Sequence, residues 1–344
     1  MYDKGKEERC ILKILSLIIS NELNAGPKAP RDIIKITQKN YNAKSKVYFL
    51  TNNFIKNNKE RIKKLYLVYL SIINKSEPII VQYPFIKSKK LMKKLGKNNI
   101  LLIHDLNSLR FNAEEEIDVV DYFKYIICHN DKMKEYLISR GIKEEKIFVL
   151  ELFDYLCNEN SNQIVDYKLN KKNINVAYAG NLIKEKSPFL YQLDENKLNY
   201  KLQVYGVGIS QNINNKIIYN GSYKPEVLPN KIKANFGLVW DGNFDESDEN
   251  IGFKNYTKYN NPHKLSCYLA AGIPVIVWKK AAISNFVEKY NVGYSVNNLY
   301  EINDLDFSDY ENKKKNAIEI SKKVRSGYFT KKVIDDVLNS IKEK

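Results

Sequence analysis

The four cysteines of this chain, Cys10, Cys128, Cys157 and Cys267, nowhere form a Cys-x-x-Cys pair. That argues against a zinc site or a disulfide framework and fits a protein of the reduced cytoplasm. No apolar run approaches the ~20 residues needed to span a bilayer. The best candidate for a signal core, "CILKILSLIIS", is interrupted by Lys13 and preceded by mixed acid and base, so it is read as a first β-strand. No stripe of Arg interleaved with aromatics is present, so the net charge of +16 is discounted as evidence of nucleic-acid binding. A basic surface equally suits an anionic membrane face or an acidic substrate.

What is present is enough apolar and aromatic residue, 44% and 12%, to build real cores over 344 residues, a length that favours two domains. The first half alternates short β-branched runs such as "KVYFL", "EPIIVQYPF", "NILLIHD", "YIICHN" and "KIFVLELF" with longer helical patterns. Strand runs without polar alternation, separated by helices, describe a parallel sheet covered on both faces. An asparagine-rich stretch over residues 156–172 reads as a linker. The alternation then restarts with "INVAYAG", "KLQVYG", "KIIYNG", "NFGLVW", "IPVIVW" and "GYSVNN", and a helical, charged tail follows from about residue 310. The fold class expected is α/β, with two doubly wound, Rossmann-like domains facing a cleft. The divisions expected are a first domain at 1–155, a second at 173–325, and a terminal helix at 326–344.

Such sheets bind ligands beyond the carboxyl ends of their strands, so polar clusters placed just after strands are the site candidates. After the first strand, "NELNAGPKAPRD" offers Gly26 for close backbone approach and Lys28 and Arg31 for positive charge. It is not a G-x-G-x-x-G loop, so a nicotinamide-type fingerprint is missing there. "VQYP" puts Gln82 and Tyr83 at a strand end, and "IHDLNSLRF" puts His104 and Asp105 at the rim, where either could serve as general base. In the second half, "AYAGNLIKEKSPF" carries Lys184 and Lys186 after a tight turn. "NGSYKPEVLPNKI" places Gly221 and Tyr223 ahead of an expected helix. The acidic loop "DGNFDESDEN" reads as solvated rather than metal-binding.

The strongest signal is "NNPHKLSCYLAAGIPVIVW". Leu265, Tyr268 and Leu269 give a short helix one buried face, Gly272 ends it, and Pro274 opens a strand. His263 and Lys264 therefore fall in the first turn. Free amides and the positive end of the helix dipole favour an anion there, and a lysine at that point is locally unfavourable by ~0.3–1 kcal/mol. A phosphate between them reverses the sign.

In order along nearly the whole chain, "NAGPKAPRDI", "VQYP", "IHDLNSLRF", "AGNLIKEKSPF", "LQVYG", "GSYKPEVL", "GLVWDG", "HKLSCYLAAGIPVIV" and "VRSGYFTKK" resemble bacterial glycosyltransferases of the GT-B architecture. The narrower resemblance is to the group containing galactofuranosyltransferases and the glucosyltransferases that extend glycans on serine-rich adhesins. The resemblance implies a UDP-hexose donor held mainly by the second domain. Lys264 would neutralise the diphosphate, Lys184 would stand where relatives commonly have Arg, and Tyr223 would lie against the nucleotide. The turn from Asn260 to Leu265 would supply amides. A lysine at position 184 lacks the bidentate contact of a guanidinium. The resemblance also implies a terminal helix that crosses back onto the first domain.

The expected activity is therefore hexosyl transfer, of galactofuranose or glucose, without a metal or other cofactor. The acceptor would be a lipid-linked or protein-linked cell-surface glycan. Further expectations are a peripheral contact with the cytoplasmic membrane face through "KSKKLMKKLGK" and no nucleic-acid partner, with a homo-oligomer left open. The alternatives are a sugar-nucleotide 2-epimerase and a non-catalytic nucleic-acid-binding module.

Overall fold

A computed structural model describes residues 12–19, 26–50, 77–85, 88–97, 99–111, 116–157, 168–170, 173–210 and 214–343. The helix expected over "KERIKKLYLVYLSIINK" lies outside them. Six strands, β1 (Lys13–Ile19), β2 (Lys44–Leu50), β3 (Ile79–Tyr83), β4 (Ile100–Ile103), β5 (Tyr125–Cys128) and β6 (Ile147–Val149), form one sheet in the order β2-β1-β3-β4-β5-β6. Every pairing is parallel. A second parallel sheet holds β7 (Ile174–Asn181), β8 (Tyr200–Val207), β9 (Ile217–Tyr219), β10 (Phe236–Val239), β11 (Val275–Trp278) and β12 (Gly293–Val296) in the order β12-β11-β10-β7-β8-β9. All residues of β3, β4, β5, β10 and β11 are buried, as expected when helices cover both faces of a sheet.

The strand orders locate two crevices. The order in which the chain adds strands reverses between β1 and β3 in the first sheet and between β7 and β10 in the second, and ligands of open α/β sheets sit beyond the carboxyl ends of the strands at such points.

Two local expectations are corrected. The helix Lys28–Tyr41 starts earlier than read, so Lys28 and Arg31 belong to it rather than to a loop; Pro30 is tolerated because the first turn has no backbone donors to lose. After Gly221 there is no α-helix but turns and a 3₁₀ segment, Leu228–Asn230. Pro229 stands four residues after Pro225, where its ring would clash with the carbonyl an α-helix needs. The tail, helical from Tyr310 in line with its sequence, is two helices, Tyr310–Ser326 and Tyr328–Lys342, divided at Gly327, which takes a left-handed φ of 83°. A Cβ on Gly327 would come within 2.7 Å of Ile36, so the bend falls where the tail meets the first helix. Beyond it, the Tyr41 hydroxyl reaches Asp335 Oδ1 at 2.7 Å.

The helix His263–Ala270 packs directly on β10, because Gly237 leaves room for the Tyr268 ring; a Cβ there would lie 2.1 Å from Tyr268 Cγ. The Tyr268 hydroxyl in turn accepts from the Ala179 amide at 2.7 Å, fixing the helix to β7 as well. Gly237→Ala should cost about 1–3 kcal/mol through overpacking, read from the midpoint of chemical denaturation. A variant as stable as the parent would show that the helix has slack against the sheet.

Candidate functional site

Lys264 sits at the switch point of the second sheet. Its ammonium donates to the Trp240 carbonyl at 3.1 Å and to Asp241 Oδ1 at 2.7 Å, both just past β10. On the other side of the crevice it lies 4.8 Å from the centroid of the Tyr178 ring on β7, and a Cβ on Gly180 would meet Lys264 Cε at 3.2 Å. Gly180 thus keeps the crevice open for the lysine stem. Burial works against the charge, but the Asp241 carboxylate, helped by the Tyr178 hydroxyl, outweighs it and raises the lysine pKa above its ordinary value. The helix that carries Lys264 has Pro262 at its N-cap, and no side chain among the described residues caps it.

Three polar atoms on this stretch, Asn260 Oδ1, His263 Nδ1 and Ser266 Oγ, are buried without a hydrogen-bond partner among the described residues. His263 Nε2 faces the Asp154 carbonyl at 3.3 Å, so it carries the proton and Nδ1 is a bare acceptor. Unpaired buried acceptors cost about 1–3 kcal/mol each; a hydroxyl-bearing ligand or ordered water would satisfy them.

The chain's three histidines converge. His104, His129 and His263 ring Phe153 at centroid distances of 5.3, 4.9 and 6.3 Å. His129 donates from Nε2 to the Ile103 carbonyl and accepts at Nδ1 from the Asn261 amide, both at 3.0 Å. His104 Nε2 meets Gln82 Oε1 at 2.6 Å, and the Gln82 amide nitrogen donates to the Pro30 carbonyl. That chain of bonds puts the proton on His104 Nε2. Burial lowers the pKa values to about 3 for His104, 4 for His129 and 3 for His263. The remaining sequence candidates are scattered. Asp105 accepts from Arg110 Nη1 at 2.5 Å and from the Tyr256 hydroxyl of the second domain at 3.2 Å; burial raises its pKa against the opposing guanidinium. Lys28 is buried, ion-paired with Asp32 and bonded to the Leu156 carbonyl at 2.7 Å, so its ammonium is committed to the protein. Gly26 lies exposed at the turn before it. Lys184 is exposed and without a partner among the described residues, and Tyr223 lies 6.4 Å from the Tyr205 ring beside Gly221. Leu265 is fully buried and its amide bonds to the Pro262 carbonyl at 3.0 Å, and the Asn260 and Asn261 amides are used as well, so of the turn expected to supply amides only His263 and Lys264 remain as donors.

Two groups escaped sequence reading. Asp241 was lost among the acids of a loop taken as solvated. That loop is in fact organised around Lys254, buried with its ammonium 3.7 Å from the Trp240 ring centroid and 4.9 Å from that of Trp278. Burial lowers the Lys254 pKa to about 8 despite the surrounding carboxylates. Asn261 is the other, and nothing local marks it. No group of three or more His, Cys, Asp or Glu among the described residues is arranged to hold a metal ion.

Models of the glucosyltransferase 3-like family match residues 13–152 for its N-terminal domain and 176–337 for its C-terminal domain. A β-1,6-galactofuranosyltransferase, WbbI of Escherichia coli K12, is 32% identical over 248 residues, covering 70% of this chain and 71% of that protein. Glucosyltransferase 3 of Streptococcus gordonii is 26% identical over 73% of each chain. Among solved structures, the lipopolysaccharide outer core galactosyltransferase WaaB superposes with a TM-score of 0.62 at 14% identity, over 96% of this chain and 100% of that one. HepE of Anabaena, in complex with UDP-glucose, superposes with a TM-score of 0.55 at 12% identity and the same coverage.

A histidine with a depressed folded-state pKa binds its proton more weakly folded than unfolded. Its contribution to stability is therefore lost as pH falls below the ordinary value of about 6.5. All three imidazoles should keep neutral-form NMR shifts from pH 7.5 down to about 5. A midpoint near 6.5 for any of them would contradict the arrangement around Phe153.

Proposed function

The chain belongs to the glucosyltransferase 3-like family and has the GT-B fold of glycosyltransferases, and from that premise we propose that it transfers a hexose from a UDP-sugar to a glycan acceptor. The observation that carries the donor assignment is Lys264 at the β7/β10 crevice, facing an uncapped helix start. Charge grows on the leaving diphosphate in the transition state, and a positioned ammonium with helix-start amides stabilises it. Because these groups supply the positive charge, a divalent ion is not needed in this reading. Tyr223 and Lys184 are assigned to the nucleotide on the family resemblance of their motifs, with Lys184 exposed and Tyr223 beside the Tyr205 ring. The unpaired acceptors at Asn260, His263 and Ser266 suit hydroxyl groups of the donor. The sugar is galactofuranose or glucose, the two that the matched relatives' names carry.

The acceptor enters from the first domain. Of the two base candidates, Asp105 fits better, because efficient bases have a pKa near the working pH. Burial moves Asp105 up toward that range, whereas His104 at about 3 is too weak. Exposed Lys89, Lys90, Lys93 and Lys94 on the helix Lys89–Gly96 suit contact with an anionic membrane face. No helix among the described residues is long and apolar enough to cross a membrane.

Thermal-shift screening of UDP-sugars should give a stabilising hit, and that hit should release UDP faster when an acceptor is added. Lys264→Ala should lower turnover roughly 10²–10³-fold, with EDTA leaving the parent rate unchanged. An undiminished Lys264→Ala rate would end the donor assignment, and an undiminished Asp105→Asn rate would remove the base. Vesicles containing phosphatidylglycerol should bind the parent and release the Lys90→Glu, Lys93→Glu, Lys94→Glu triple variant. Equal binding would exclude that face.

A further inference from the structure

A groove of about 550 Å³ runs along the seam between the domains, and none of its lining residues belongs to the donor site. One wall is the helix Asp131–Ser139, which follows β5; the other is Lys258, Tyr259 and the residues after β11. Both walls therefore stand at carboxyl ends of parallel strands, where α/β sheets take ligands.

Tyr136 from the first domain and Tyr259 from the second lie with ring centroids 5.4 Å apart. Such a pair offers an apolar surface for the C–H face of a sugar ring, with hydroxyls at its edge. The charges around it do not balance. Lys132 is neutralised by Glu135 at 2.9 Å, and Lys280 by Glu246 and Glu249 at 3.1 and 2.5 Å. Lys258 reaches the Asn250 carboxamide at 2.8 Å and shares the field of the Glu249 carboxylate with Lys280, whereas Lys279 is exposed with no side-chain partner among the described residues. One ammonium, that of Lys279, is left without a partner among the described residues, and the groove it lines holds an aromatic pair.

We propose that this groove binds an anionic saccharide, a sugar bearing phosphate or carboxylate. Its floor is tied to the donor loop: the Asn130 amide donates to the Tyr259 carbonyl at 3.0 Å and to Asn261 Oδ1 at 2.8 Å. The occupant comes either from the charged part of the acceptor glycan or from a free sugar phosphate. As an acceptor subsite the groove rests on the glycosyltransferase reading; as a site for a charged sugar it does not.

Calorimetric titration of the full chain, with UDP saturating, is the test, using glucose 1-phosphate, glucuronate and neutral glucose as probes. Saturable binding of at least one anionic probe, and none of glucose, is expected. Lys279→Glu should raise its Kd by about tenfold or more while leaving melting temperature and UDP affinity unchanged, and Tyr136→Ala should weaken it as well. In a transfer assay, competition by glucose 1-phosphate against the acceptor assigns the groove to the acceptor. Binding without competition assigns it to a free sugar phosphate. No saturable binding of either anion to the parent overturns the proposal, as does an unchanged Kd in Lys279→Glu. Displacement of the anionic probe by UDP, with failure to bind once UDP saturates, would overturn it too.

Discussion

The carboxamide of Asn261 holds the two domains in register. Its nitrogen donates to the His129 carbonyl at 2.8 Å and the Glu151 carbonyl at 2.9 Å, while its oxygen accepts from Asn130 at 2.8 Å. Its own backbone amide completes the set by donating to His129 Nδ1. A buried amide with both donors used gains from a low-dielectric setting what an unpaired one would lose. The consequence reaches the site, because Asn261 immediately precedes Pro262, where the helix bearing Lys264 begins. His129 takes part only as the neutral tautomer with Nδ1 bare. Its depressed pKa is thus part of the same constraint as the domain contact.

The crossover segment between the sheets is fixed by a second polar set. Lys28 and Asp32 grip Leu156 from either side, the ammonium on its carbonyl and the carboxylate on its amide at 2.9 Å. Asp154 accepts the Phe329 and Thr330 amides at 3.3 and 2.7 Å, which caps the helix Tyr328–Lys342. Buried ion pairs seldom add net stability, since desolvation cancels most of the attraction. What this one adds is position: its extra hydrogen bonds specify where the chain passes from one domain to the next. That is why the ammonium of Lys28, expected as a phosphate ligand from its place after β1, is engaged with the crossover segment instead.

The strands were legible because burial on both faces leaves an uninterrupted apolar run, as in "ILLI" and "VIVW". The helix His263–Ala270 was legible from its apolar spacing and the glycine after it. Boundaries were less so: the prolines at 30, 225 and 229 act through the turn that precedes each, and their effect depends on where the helix starts. The partners of the site were not legible at all. Asp241 meets Lys264 across 23 residues, Tyr256 meets Asp105 across 151, and Asn261 meets His129 across 132. Sheet order brings these together, and sequence pattern reports on sheet order only through the fold class.

The Lys264–Asp241 pair also resolves the local conflict at the helix start. A lysine in the first turn opposes the helix dipole, and an ammonium at a partly covered crevice loses hydration. Asp241, at 2.7 Å, answers both: it neutralises the cation and brings a negative charge near the dipole's positive end. The crevice therefore already holds an anion, one supplied by the protein. A neutral ligand offers nothing in exchange for that carboxylate, whereas a diphosphate carries more charge and more acceptor oxygens to the same ammonium and amides. In the proposed donor site, the pairing thus favours a charged leaving group over a neutral one. The free protein keeps its lysine charged and aligned, and only a stronger anion repays its release from Asp241.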